Sequence, residues 1–230
     1  MMSAQVKSKQ RVADHGEVFT NEREVNAMLD MVKDETERID SRFLEPACGD
    51  GNFMSEILRR KLAVVTKRYR RSVSEWEKNA FIAVASIYGV DIQLDNVVEC
   101  RKRLADIVLK EYKKVAKTRQ NPKFMPAIEF ILGRNVICGN ALSMCRTDEN
   151  AQDTPEPIIF SEWSMVIGNK VKRRDFRLDE LLVHEQDRDT LFSSLEVPHS
   201  EWKFDPETQA FIPEPIKEYP PMYYYEVISV

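Results

Sequence analysis

Arg42-Phe43-Leu44-Glu45-Pro46-Ala47-Cys48-Gly49-Asp50-Gly51-Asn52-Phe53 is the stretch on which the reading of this chain turns. Phe43 and Leu44 end a short apolar strand, and Pro46 stops strand pairing from continuing. Gly49 and Gly51 let the backbone turn tightly and leave room for a ligand against it. Asn52 is placed to cap a following helix whose apolar positions Phe53, Ile57 and Leu58 share one face. A strand, a glycine turn and a helix present free backbone N–H groups and a positive dipole end to a bound molecule. Two carboxylates in the loop, Glu45 and Asp50, would repel a pyrophosphate. The pattern therefore points to a cationic or hydroxyl-bearing ligand rather than a dinucleotide.

Outward from that loop, strands and helices alternate. Asn21 caps a helix with Glu24 three residues on, and Val25, Met28, Leu29 and Val32 follow helical spacing. Helices are expected over residues 52–66, from Ser74 to Ile87, and over 94–117. Residues 127–132 are apolar enough to continue that helical region or to form a short helix. Strands are expected at residues 88–92, 135–142 and 158–167. Such alternation predicts an α/β fold with a central, mostly parallel sheet and helices on both faces. Residues 1–14 read as a flexible polar N-terminus, 15–197 as the main domain, and 198–230 as a tail rich in proline and aromatics. That tail suits wrapping along a core or meeting a partner.

The wording E-P-A-C-G-D-G-N-F resembles the S-adenosylmethionine loop of the adenine-N6 DNA methyltransferases of restriction–modification systems. The resemblance covers about residues 11–169. It implies a Rossmann-like class I methyltransferase fold and S-adenosylmethionine as cofactor. Phe19 and Thr20 resemble the family's N-terminal motif, which touches the methionine part. Glu45, Ala47, Cys48 and Gly49 match the main loop, with the acidic residue near the methionine ammonium. Asp91 ends the second strand, where the family's carboxylate binds both ribose hydroxyls, and Ile92 would pack on the adenine. Asn140 stands where the family usually carries an Asp for the adenine amino group. The separation of 42 residues from Gly49 to Asp91 exceeds the roughly 20 of a simple dinucleotide fold, and the helix at 74–87 accounts for the excess.

The resemblance also implies an Asn-Pro-Pro-Tyr after the fourth strand, where a flipped adenine is held by its amino group. Here Ile167-Gly168-Asn169-Lys170-Val171 follows. Asn169 occupies the first position of that motif and is the candidate catalytic amide, but Pro-Pro-Tyr is absent. The same residues read as a hairpin turn between strands 159–167 and 171–178, and the residues favour the turn. The expected function is an S-adenosylmethionine-binding, DNA methyltransferase-like protein. Alternatives are a catalytically inactive cofactor-binding or regulatory subunit of such a system, or a methyltransferase for a non-DNA substrate.

Composition sets the remaining expectations. The 230 residues are 43% hydrophobic and 31% charged, enough for one sizeable core. No run approaches the roughly 20 apolar residues of a membrane span, and the start carries no apolar signal region. Cys48, Cys100, Cys138 and Cys145 show no metal-ligand spacing, so no metal and a cytoplasmic setting are expected. A net charge of −4 argues against gripping DNA alone, so DNA is expected to arrive through a specificity or endonuclease partner subunit. Two basic runs qualify this, one over residues 59–71 and one over residues 110–119. Solvated helix faces are the usual explanation of such runs, with nucleic-acid contact the lesser alternative.

Overall fold

The structure, a computed structural model, describes residues 20–182, 203–205 and 210–229. Two short helices, α1 (Glu22–Met31) and α2 (Lys33–Thr36), precede strand β1 (Phe43–Glu45). The Asn21 side chain caps α1 by accepting from the Glu24 N–H at 3.0 Å, as the capping pattern predicts. Helices α3 (Asn52–Tyr69) and α4 (Val73–Ala85) lead to β2 (Ile87–Asp91). Helices α5 (Leu94–Ala116) and α6 (Phe124–Asn135) lead to β3 (Val136–Asn140). Short strands β4 (Cys145–Thr147) and β5 (Asp153–Pro157) follow, then β6 (Ile159–Val166), β7 (Lys170–Arg177) and α7 (Leu178–Leu182). A small hairpin, β8 (Lys203–Asp205) with β9 (Ala210–Ile212), and β10 (Lys217–Tyr223) complete the strands.

The chain is α/β with a mixed five-stranded sheet in the order β1-β2-β3-β4-β5. Leu44 lies opposite Tyr88, and Asp91 opposite Cys138, in the two parallel pairings. The β3–β4 and β4–β5 pairings are antiparallel. A mostly parallel sheet is therefore corrected to an evenly mixed one. The strand expected to extend it, β6, joins a separate antiparallel sheet in the order β10-β7-β6. β6 and β7 are joined by the three-residue turn 167–169, too short for the crossover that parallel pairing needs.

Among the described residues the long helices α3–α6 cover one face of the main sheet rather than both. Ile87, Val136 and Cys138 share a core with Met54 and Leu58 of α3, Trp76 and Phe81 of α4, Leu104 and Val108 of α5, and Ile128 and Ile131 of α6. The opposite face carries Tyr88 and Val90, which share a core with Ile158, Phe160 of β6 and Leu178, the first residue of α7. β7 looks too polar for a core strand, yet Arg173, Arg174 and Asp175 are buried. They are tolerated because each charge is paired. Arg173 donates twice to Asp175, at 2.8 and 2.7 Å, and its guanidinium lies over the Tyr219 ring. Glu162 accepts from Arg174 at 3.1 Å and from Arg42 at 2.7 Å. The C-terminal segment wraps along the core: β10 pairs with β7, and the Tyr224 hydroxyl donates to the buried Glu77 at 2.8 Å.

Candidate functional site: the turn after the first strand

Three loops meet at the carboxyl edge of β1, β2 and β3, the ordinary ligand edge of an open α/β sheet. Cys48 ties the first loop to the second strand by donating its N–H to the Val90 carbonyl at 2.8 Å. Gly51 N–H then closes the turn on the Cys48 carbonyl at 2.9 Å. Gly49 and Gly51 hold φ of 53° and 91°, the left-handed region in which a Cβ is strained. Gly51 rather than Asn52 occupies the cap position of α3, so helix capping by Asn52 is corrected. The Asn52 amide instead donates to the Thr20 carbonyl at 3.1 Å, and its oxygen accepts from Arg103 at 2.7 Å. Arg103 also holds Asp50 through a two-point contact at 2.9 and 3.3 Å. The Asp50 carboxylate is thereby fixed facing α5.

Asp91 is the hub. One carboxylate oxygen accepts the Gly49 N–H at 2.8 Å. The other accepts the Gln93 N–H at 2.9 Å and the Asn96 amide at 3.1 Å. The residue expected to meet a ligand thus also shapes the turn that would hold one. Glu45 is half-buried, and burial pushes its carboxyl above the usual range, opposed by the Ala47 N–H. A cation beside it would offset that desolvation cost. Cys48 is buried, and the neighbouring Cys100 thiol together with burial pushes its thiol upward, so it stays protonated and unreactive. An apolar hollow of about 200 Å³ adjoins this turn, lined by Met28 and Leu29 of α1 and Val32 just after it, together with Phe43, Glu45 and Phe53.

The structure brings Thr20, Glu45, Ala47, Cys48, Gly49 and Asp91 into one connected region and sets Ile92 directly after Asp91. Phe19 lies outside the described residues. Asn140 ends β3 at the same edge, two residues beyond Cys138, the register partner of Asp91. Its side-chain oxygen accepts the Leu142 N–H at 2.9 Å, closing a turn, and its amide donates to Asp153 at 3.3 Å. Asn169 is not brought to this edge. β6 starts beside Met144 and runs past Asn135, the residue before β3, so it travels toward the opposite edge of the sheet. Asn169 sits in the turn with φ 61° and accepts from Lys78 of α4 at 3.2 Å.

Asn96, Arg103 and the bridging use of Asn52 were not singled out from sequence. Asn96 could have been noticed, because it falls five residues after Asp91 in the first turn of the helix that follows. Nothing in a single sequence marks Arg103 as the partner of a loop 53 residues earlier. A second apolar cavity, of about 240 Å³, lies between β1 and the second sheet, walled by Phe43, Leu44, Tyr88, Phe160 and Phe176.

No family model and no solved structure matches the chain. Over 112 residues it is 32% identical to a protein of Methanocaldococcus jannaschii assigned, by name only, as a type II restriction enzyme and methyltransferase. That match covers 47% of this chain and 9% of the relative, so the chain spans less than a tenth of the length of the protein it resembles. The likeness supports a restriction–modification, methyltransferase-like relationship.

Proposed function

We propose that this chain binds S-adenosylmethionine at the turn over residues 45–51 and acts as a methyltransferase-like component of a restriction–modification system. The observation that carries the reading is the Gly49–Asp91 hydrogen bond, which joins the glycine turn to the end of β2. Three parallel strands with helical crossovers, and loops meeting at one edge, suit a Rossmann-like methyltransferase fold.

The residues present fit the cofactor's chemistry. Glu45, half-buried with one long contact to the Ala47 N–H, has carboxylate oxygen to offer the methionine ammonium. Asp91 uses one oxygen for a single donor, which leaves that oxygen able to accept a ribose hydroxyl. Ile92 supplies an apolar surface for the adenine face. Asn140 Oδ1 has a second lone pair for an amino group beyond its bond to Leu142. The bound cofactor would supply an electrophilic methyl group. This chain's residues bind and orient it and exclude water around the sulfonium.

DNA is the acceptor that the resemblance and the named relative both suggest, with adenine N6 as the finer reading. Asn169 is far from the turn, which favours a second reading. In it, the chain supplies the cofactor pocket while a partner subunit supplies the groups that hold the target base. Calorimetry with S-adenosylmethionine tests the shared premise. Saturable binding is expected, and no heat at millimolar cofactor would refute both readings. Transfer of labelled methyl to adenine-containing DNA by the purified chain alone would then exclude the second.

A further inference from the structure

The two basic runs, separate in sequence, converge at one end of the helical layer. Trp76 Nε1 donates to the Thr66 hydroxyl at 2.9 Å, and the Trp76 ring stacks on Tyr112 with centroids 5.7 Å apart. The Tyr112 hydroxyl in turn accepts the Asn121 N–H at 2.6 Å. These contacts place the end of α3, with exposed Lys67, Arg68, Arg70 and Arg71, beside the end of α5. That second end carries exposed Lys110, Lys113, Lys117 and Arg119.

None of these eight residues has an ion pair among the described residues. Carboxylates close by are already committed. Glu75 pairs with Lys78 at 2.7 Å, and Glu111 with Lys114 at 2.6 Å. Glu77 is buried and accepts from the Tyr112 and Tyr224 hydroxyls. A cation near a helix C-terminus is favoured by the dipole, which accounts for Lys67, Arg68 and Lys113. Arg70 and Lys117 are the cap residues and share that benefit, whereas Arg71 and Arg119 lie beyond the helix ends, Lys110 stands before the last turn, and these three gain little from it. A chain with a net charge of −4 that collects eight unpaired cations at one end has a concentrated positive field there.

We propose that this end is a docking surface for the phosphate backbone of nucleic acid, distinct from the turn at residues 45–51. Phosphate contacts need cations and no apolar anchor. Stable protein interfaces rely on buried apolar anchors, and stable membrane anchoring adds an apolar insertion or lipid chain to a basic patch. None of the exposed large hydrophobic residues lies on the C-terminal half of α3 or α5. The turn sits at the opposite, N-terminal ends of these helices. Their 18 and 23 residues correspond to about 27 and 35 Å. A duplex held here is therefore not presented to the Asp91 edge of the same molecule, and the contact serves docking rather than base delivery.

The test is fluorescence anisotropy with a short labelled DNA duplex over a sodium chloride series, with R68Q/R70Q/R71Q and K113Q/K117Q/R119Q as variants. Each phosphate contact adds about 0.9 to the slope of log affinity against log salt. Each triple variant should lower that slope by roughly 2–3 and weaken low-salt binding at least about tenfold. K33Q/R38Q/K102Q, which removes three exposed cations elsewhere, should change neither by comparable amounts. Equal slopes for wild type and both patch variants would overturn the proposal. So would the absence of wild-type binding at about 100 μM protein, the weak limit of ordinary non-specific affinity. S-adenosylmethionine calorimetry on the same variants reads the other site independently, so either proposal can fail without the other.

Discussion

Replacing Asp91 by Asn changes one oxygen to an amide and nothing in size, so the effect can be worked from hydrogen bonds alone. The native carboxylate is an acceptor at both ends: for Gly49 N–H at 2.8 Å on one side, and for Gln93 N–H and the Asn96 amide on the other. An Asn side chain must turn its NH2 toward one of these. Facing Gly49, it opposes that single donor and strips the turn of its side-chain acceptor at the end of β2. Facing Gln93, it orphans two donors instead. A buried donor left without an acceptor costs about 1–3 kcal/mol, and exchanging an ionised acceptor for a neutral one weakens the remaining bonds. The sum is roughly 2–4 kcal/mol, a large share of the 5–15 kcal/mol that ordinarily holds a domain. Urea unfolding should show the midpoint falling by about 1 M or more with the slope preserved. Hydrogen exchange should show the Gly49 amide losing protection. If Asp91→Asn stays within about 0.5 kcal/mol of wild type with that amide still protected, the hub reading is wrong. Asp91 would then matter, if at all, only to a ligand, and the loss would appear in cofactor affinity alone.

Lys61 gives a pH test. Its side chain is fully buried and donates to the Ile39, Ser41 and Ser86 oxygens, and burial pulls its pKa from 10.5 down to about 7. Between pH 7 and 10.5 the unfolded chain keeps a proton that the folded chain has released, so stability should rise with pH across that window by about a few kcal/mol. Below pH 7 both states hold the proton and this slope should vanish. Lys61→Met should flatten the rise, and an unchanged profile would show that Lys61 is not its source. Gly139→Ala and Gly133→Ala should shift the melting temperature in opposite directions. A Cβ at Gly139 would stand 2.8 Å from the Cys145 carbonyl oxygen and 2.7 Å from Ile158 Cδ1, and overpacking of that kind costs about 1–3 kcal/mol. A Cβ at Gly133, inside α6, meets nothing within 4 Å, so there the better helix former should add about 0.5–1 kcal/mol.

The sequence by itself determined the elements whose signals are local. The helical spacing of Val25 and Leu29, the cap at Asn21, the glycine turn after Leu44 and the apolar runs ending at Asp91 and Asn140 all occur where their neighbours dictate. These patterns depend on backbone geometry and on side chains three or four residues apart, which a linear reading contains. Tertiary structure decided what those elements touch. Residues 159–167 read as a strand, but only the three-residue turn at 167–169 and a partner in residues 170–177 made it antiparallel and sent Asn169 toward Lys78. The run over residues 171–175 reads as surface because it is charged. It is buried because Glu162 of β6 and Tyr219 of β10, together with Asp175 of the run itself, complete its arginines. In the same way, Asp91 could be read as the end of a strand and not as the acceptor that fixes Gly49, because a hydrogen bond spanning 42 residues exists only once the chain has folded.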